Sequence, residues 1–224
     1  MKVLFILIKK NLNVKPSSLH YSIFTPDNIN ILMKKILFFA SGNGSNVENI
    51  LDYFKQDTSV LFVGIMTNNP KAGVIERANR RGVPITVFDK TSFTNGSLLS
   101  NVTDLDPDLI VLAGFLWKIG SDWITAFPNK IINIHPALLP KYGGKGMYGN
   151  FVHQAVKANE EKKTGITIHY VNEEYDQGAY IFQATVELKP SDNIEIIAEK
   201  VHQLEYFNFP RVIEGILKKN KNVF

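Results

Sequence analysis

Apolar residues in this chain fall into short blocks separated by amphipathic stretches. After Lys34-Lys35 comes Ile36-Leu37-Phe38-Phe39-Ala40, five apolar positions with no alternation. That is the pattern of a strand covered on both faces. Further β-branched or aromatic blocks occupy residues 60–66, 83–88, 109–113 and 130–134. Between them, residues 47–54, 73–81 and 121–127 carry apolar positions at helical spacing. Strand–helix alternation at this interval predicts an α/β fold, a mostly parallel open twisted sheet with helices on both faces. Beyond residue 150 the pattern predicts a helix over 151–158 and two strands over 164–171 and 180–187, joined by a turn at 172–178. A last helix is expected over 193–207, with Ser191 or Asp192 as its cap and Glu195 in its first turn.

Residues 11–30 have no clear periodicity and carry turn formers. The expectation is one domain over 33–224, preceded by a flexible extension of 32 residues. A sharper form of it starts the functional protein at Met33, the upstream start being assigned in error. The chain has 224 residues, 45% hydrophobic, enough for a sizeable core. The formal charge is +4, and Lys2, Lys9, Lys10 and Lys15 against Asp27 supply most of it. A near-neutral body gives no reason to propose nucleic acid as a partner. The absence of cysteine excludes disulfides, Cys-ligated zinc and a thiol nucleophile. No apolar run approaches the roughly eighteen residues needed to cross a membrane. The opening resembles a signal peptide, but its apolar run is short, basic residues follow it, and no small-residue cleavage site comes after. These features predict a cytoplasmic protein.

Ser41-Gly42-Asn43-Gly44-Ser45-Asn46 follows the first strand and opens a helix. Two glycines let the backbone turn sharply and approach a ligand, while free N–H groups and the helix dipole favour an anion. The loop lacks the Gly-Lys-Ser/Thr of a Walker A motif, and Val47 stands where a dinucleotide fingerprint has its third glycine. It reads either as a phosphate cradle or as a tight turn without a ligand.

The stretch Asn133-Ile134-His135-Pro136 ends the fifth block. In a strand, residues two apart share a face, and Pro136 stops the ladder. Ligands of open α/β sheets bind at the carboxyl ends of strands. An amide and an imidazole there can stabilise a carbonyl oxygen that becomes negative and can relay a proton; the alternative is a satisfied core histidine beside a turn cap. The turn 172–178 holds Glu173, Glu174 and Asp176. Gly178 permits a turn that aims Asp176 inward, where a carboxylate would favour the imidazolium of His135 and raise its pKa. Spacing alone does not show that the two meet. Of the other histidines, His20 lies in the extension, His153 and His202 read as surface or packing positions on helices, and His169 is ambiguous.

Together these segments resemble the folate-dependent formyltransferase family, over roughly Lys34 to the C-terminus. Gly42 to Asn46 is similar to the family's phosphate loop, Ala113-Gly114-Phe115 with Leu116-Trp117-Lys118-Ile119 to its folate-contacting segment, Asn133 to Pro136 with Leu138-Leu139-Pro140 to its catalytic strand end, and Asp176-Gln177-Gly178 with Ile181 and Gln183 to its acidic loop. The resemblance implies the Rossmann-like formyltransferase fold. It implies transfer of a formyl group from 10-formyltetrahydrofolate, with no metal, to the amine of 5'-phosphoribosylglycinamide (glycinamide ribonucleotide) in purine biosynthesis. On that basis Asn133, protonated His135 and Asp176 are catalytic, Gly44, Ser45 and Asn46 hold the substrate phosphate, and Glu205 meets the substrate amine. Leu116, Trp117, Lys118, Ile119 and Asn133 contact the folate.

Two features depart from the family. Its members commonly carry a folate-binding arginine after the third strand, and residues 91–97 contain none. Residues 142–149 are unusually glycine-rich, either a mobile lid or a loose loop. Competing readings are a 10-formyltetrahydrofolate hydrolase, which has an extra regulatory domain, a methionyl-tRNA formyltransferase, which has a basic C-terminal domain, and a non-catalytic nucleotide-sensing module. The oligomeric state is open.

Overall fold

The computed structural model describes residues 22–23 and 31–219. Strands β1 (Ser22–Ile23) and β2 (Ile31–Leu32) pair antiparallel; the rest of the expected extension lies outside the described residues. The apolar block after Lys34-Lys35 is β3 (Lys34–Phe39), and it sits centrally in a seven-stranded sheet. Ile36 and Phe38 face one hydrophobic layer and Leu37 and Phe39 the other, all fully buried. Burial on both faces explains why this block lacks alternation.

From β3 the chain passes through helix α1 (Ser45–Tyr53) to β4 (Val60–Thr67), then through α2 (Val74–Arg81) to the short β5 (Ile85–Val87). It returns to the other side of β3 as β6 (Leu109–Leu112) and β7 (Ile131–His135), with α5 (Ser121–Ala126) between them. These five strands run parallel. Helix α6 (Asn150–Ala158) then leads to β8 (Lys163–Tyr170) and β9 (Tyr180–Glu187), which add antiparallel. The order β5-β4-β3-β6-β7-β8-β9 reverses direction between β3 and β6. That reversal opens a crevice at their carboxyl ends.

Two helices were not foreseen: α3 (Lys90–Thr94) and α4 (Ser97–Leu105). The first has a capping box, Asp89 accepting from Ser92 N–H while the Ser92 hydroxyl faces back to Asp89. Its five residues are too few to show a helical period.

The last helix, α7 (Ile194–Lys219), corrects the sequence reading at both ends. Asn193 Oδ1 accepts from Ile196 N–H at 2.9 Å, so the cap lies after Ser191 and Asp192. Asp192 instead accepts from Lys189 N–H at 2.9 Å and pairs with Lys200. The helix also continues past Phe207, through the buried Pro210. A proline there cannot donate to the carbonyl four residues earlier. That carbonyl, Tyr206 O, accepts from the Asn49 side chain of α1 at 2.9 Å.

Candidate active site

The glycine loop forms the floor of the crevice. Gly44 caps α1 at φ +77°, and a Cβ there would stand 2.5 Å from Val74 Cγ2. Both the left-handed backbone and the contact with α2 require glycine. Ser41 N–H donates to Gly114 O, and Ser41 Oγ accepts from Leu116 N–H, each at 3.0 Å. The loop after β3 and the segment after β6 are thus tied together at the sheet's reversal point.

At the end of β7, His135 is 3% exposed and held at both ring nitrogens. Nε2 lies 2.7 Å from Tyr142 O. A carbonyl only accepts, so Nε2 carries the hydrogen. Nδ1 stands 3.5 Å from Asp176 Oδ2. Asp176 is brought there by a turn in which its own φ is +57° and in which a Cβ at Gly178 would lie 1.6 Å from Tyr170 O. Gly144 N–H also donates to Asp176 Oδ2, at 2.9 Å.

His169 on β8 completes the cluster. Its Nδ1 donates to Tyr170 O at 2.8 Å, its Nε2 is 3.2 Å from Asn133 Nδ2, and it lies 3.6 Å from Asp176 Oδ1. The Asn133 amide nitrogen can only donate, so it gives one N–H to His169 Nε2 and keeps the second uncommitted.

The opposing effects on His135 decide its charge. Burial pushes its pKa down, while Asp176 and the Tyr142 carbonyl pull it up; burial is the larger, and the net direction is downward. The expected rise toward the imidazolium does not prevail. Burial pushes the Asp176 carboxyl up, but the His169 and His135 rings and Gly144 N–H outweigh it and hold that carboxyl below its usual range.

A second polar group lies beside the glycine loop. Glu205, buried on α7, accepts at Oε2 from Asn46 Nδ2 and from His202 Nδ1, each at 2.9 Å. The hydrogen bond that His202 donates to Glu205 raises the pKa of His202. Asn46 therefore links the loop to Glu205 through its side chain.

One cleft of about 680 Å³ joins these parts. Gly44, Ser45, Asn46, Leu116, Trp117, Lys118, Ile119, Asn133, His135, Asp176 and Glu205 all line it. His169 lines it as well, and so do His153 and His202, which sequence reasoning had put at surface or packing positions. For His202 a signal existed: it precedes Glu205 by three residues and so shares its helical face. Nothing in the sequence marked His153. The glycine-rich segment from Gly144 to Asn150 forms part of the cleft wall. Although residues 91–97 lack arginine, Lys90 Nζ sits 4.6 Å from the Trp117 ring centroid and Lys118 Nζ sits 5.6 Å from that of Tyr175. Two cations therefore flank the segment after β6. Among the described residues, no group of three His, Asp or Glu side chains could hold a metal ion, and no helix is long and apolar enough to cross a membrane.

A model of the formyl transferase family matches residues 34–213. The chain is 36% identical over 194 residues to the phosphoribosylglycinamide formyltransferase of Bacillus subtilis, covering 84% of this chain and 97% of that protein. It is 38% identical over 194 residues to the chloroplastic enzyme of the same name from Arabidopsis thaliana, covering 83% of this chain but 66% of that longer protein. The crystal structure of phosphoribosylglycinamide formyltransferase from Bacillus halodurans aligns with a TM-score of 0.76 at 30% identity, covering 85% of this chain and 99% of that one.

Proposed function

The chain belongs to the formyl transferase family, and from that membership we propose that it transfers a formyl group from 10-formyltetrahydrofolate to the amine of 5'-phosphoribosylglycinamide, a step of purine biosynthesis. One observation carries the reading: a single cleft connects an anion-ready helix start at Ser45 and Asn46 with Glu205 and, further on, with Asn133, His135 and Asp176.

The substrate phosphate docks on the Gly44 to Asn46 backbone, where free N–H groups and the α1 dipole favour negative charge. Glu205 has both of its hydrogen bonds on Oε2, which leaves Oε1 for the substrate amine. Leu116 is 48% exposed beside the cleft's aromatic wall of Trp117 and Tyr175. An uncovered apolar side chain there suits a planar ring system, and the segment from Leu116 to Ile119 is assigned to the folate. When bound, the folate supplies an activated formyl group.

As the amine nitrogen adds to the formyl carbon, the formyl oxygen becomes negative. The uncommitted Asn133 N–H and the His135 Nε2–H donate to it. For His135 this means exchanging the Tyr142 carbonyl for the substrate oxygen, so the 142–149 segment yields when substrates bind. Asp176 then stabilises the positive charge that His135 acquires if it takes up a proton. The amine loses one proton and the departing folate nitrogen gains one, with His135 assisting the relay, so the reaction is proton-neutral.

The test is release of deformylated folate with and without glycinamide ribonucleotide. Release only when the amine is present supports formyl transfer. Release without it would indicate a hydrolase, and no release in either case a non-catalytic module.

A further inference from the structure

His153 is the least explained group in the cleft. It sits on α6 at 2% exposure and lines the cavity, yet its Nδ1 is sealed from solvent with no hydrogen-bond partner. An unpaired buried N–H costs more than an unpaired acceptor, so the ring carries its hydrogen on Nε2. That nitrogen is the one left to face the cleft. Burial lowers the pKa of the ring, as does the charge of His202, while Glu205 opposes them. The ring is therefore a neutral single donor standing among His202, Glu205 and His135.

We propose that His153 Nε2–H donates a hydrogen bond to the amide carbonyl oxygen of the substrate, and so selects an α-amino amide and orients its amine. The inference rests on the proposed transfer to glycinamide ribonucleotide. An amine held at Glu205 and attacking beside His135 has its amide carbonyl two bonds away, in the space between those two residues. Of the side chains around that space, one Asn46 N–H and His202 Nδ1 are engaged by Glu205, and His135 Nε2 is reserved for the formyl oxygen. His153 Nε2 is a donor that none of these groups engages.

The test uses glycinamide ribonucleotide and an analogue whose amide carbonyl is a methylene. Binding of each, without folate, is measured by calorimetry, and KM and kcat in the full reaction. His153→Ala is expected to weaken binding of glycinamide ribonucleotide about tenfold, the size of one neutral hydrogen bond, and to raise its KM with kcat within about threefold. The KM for the folate should not move. The analogue should bind wild type and His153→Ala alike. His153→Gln, whose amide nitrogen can reach the Nε2 position, should recover most of the affinity, while His153→Asn, which reaches only Nδ1, should not. Equal losses for substrate and analogue, unchanged affinity in His153→Ala, or rescue by Asn instead of Gln would each overturn the assignment. If His153→Ala does not fold, the Gln and Asn variants carry the same comparison. Wild-type turnover of glycinamide ribonucleotide separates failure of this inference from failure of the proposed function.

Discussion

Asp176 Oδ2 stands 3.5 Å from His135 Nδ1, although the two residues come from a turn after β8 and from the end of β7. The carboxylate opposes burial but does not outweigh it, and the ring's pKa stays below its ordinary value. Asp176→Asn keeps an oxygen for Gly144 N–H and removes the charge. The His135 pKa, read from an NMR titration of the ring, should lie below about 6.5 in the wild type and fall further in this variant. A rise on removing the charge would show that Asp176 is not the coupled partner.

Buried histidines also set how stability responds to pH. The pKa values of His135 and His153 are lowered on folding, so the unfolded chain binds protons first as pH drops below about 6.5. Their contribution favours the fold above that value and is lost on acidification. His202 has the opposite sign: its raised pKa adds stability below about 6.5 that fades as pH rises through the folded value. Urea unfolding between about pH 7.5 and 5.5 should show stability falling with pH. His153→Gln should flatten that fall and His202→Gln should steepen it.

The glycine loop separates binding from chemistry. Ser45→Ala and Asn46→Ala should raise KM for the phosphorylated substrate with smaller effects on kcat. Gly44→Ala is a harsher change, because the new Cβ meets Val74 at 2.5 Å in a left-handed backbone. It should lower the thermal midpoint as well as substrate affinity.

Asn49 and Pro210 are predicted to couple. Asn49→Ala leaves Tyr206 O without its side-chain donor, at a cost of about 1 kcal/mol or less at this exposed site. In a Pro210→Ala background the restored N–H can serve the same carbonyl. The Asn49→Ala penalty should then shrink, and a double-mutant cycle from urea unfolding measures the difference. Strict additivity would show that the Asn49 amide does not replace the missing helical bond.

Much of this molecule was legible in its sequence because burial on both sheet faces writes continuous apolar blocks. The strands at 60–66, 109–113 and 180–187 fall within a residue of those observed. The pairing of Asn133 with His135 at a strand end followed from period two and a terminating proline. Helix α3 was missed because its five residues carry a capping box but no period. Helix α7 runs past its expected end through a proline that normally breaks a helix, and the compensating donor lies on α1, far away in sequence. The direction of the His135 shift differs from the expectation for a related reason: a neighbouring carboxylate can be guessed from motif order, but the depth of burial that outweighs it belongs to the assembled core. His153 carried no sequence signal, since its significance lies in a nitrogen that finds no partner once α6 packs.

Turnover of purified Asn133→Ala, His135→Ala and Asp176→Ala, at saturating glycinamide ribonucleotide and formylated folate, bears most directly on the proposed chemistry. Asn133→Ala is expected to lose about 10²–10³ in kcat, the effect of deleting one donor to a developing oxyanion. His135→Ala should lose at least as much and Asp176→Ala somewhat less, each with its fold verified by thermal unfolding. Near-native turnover in all three would contradict the mechanism.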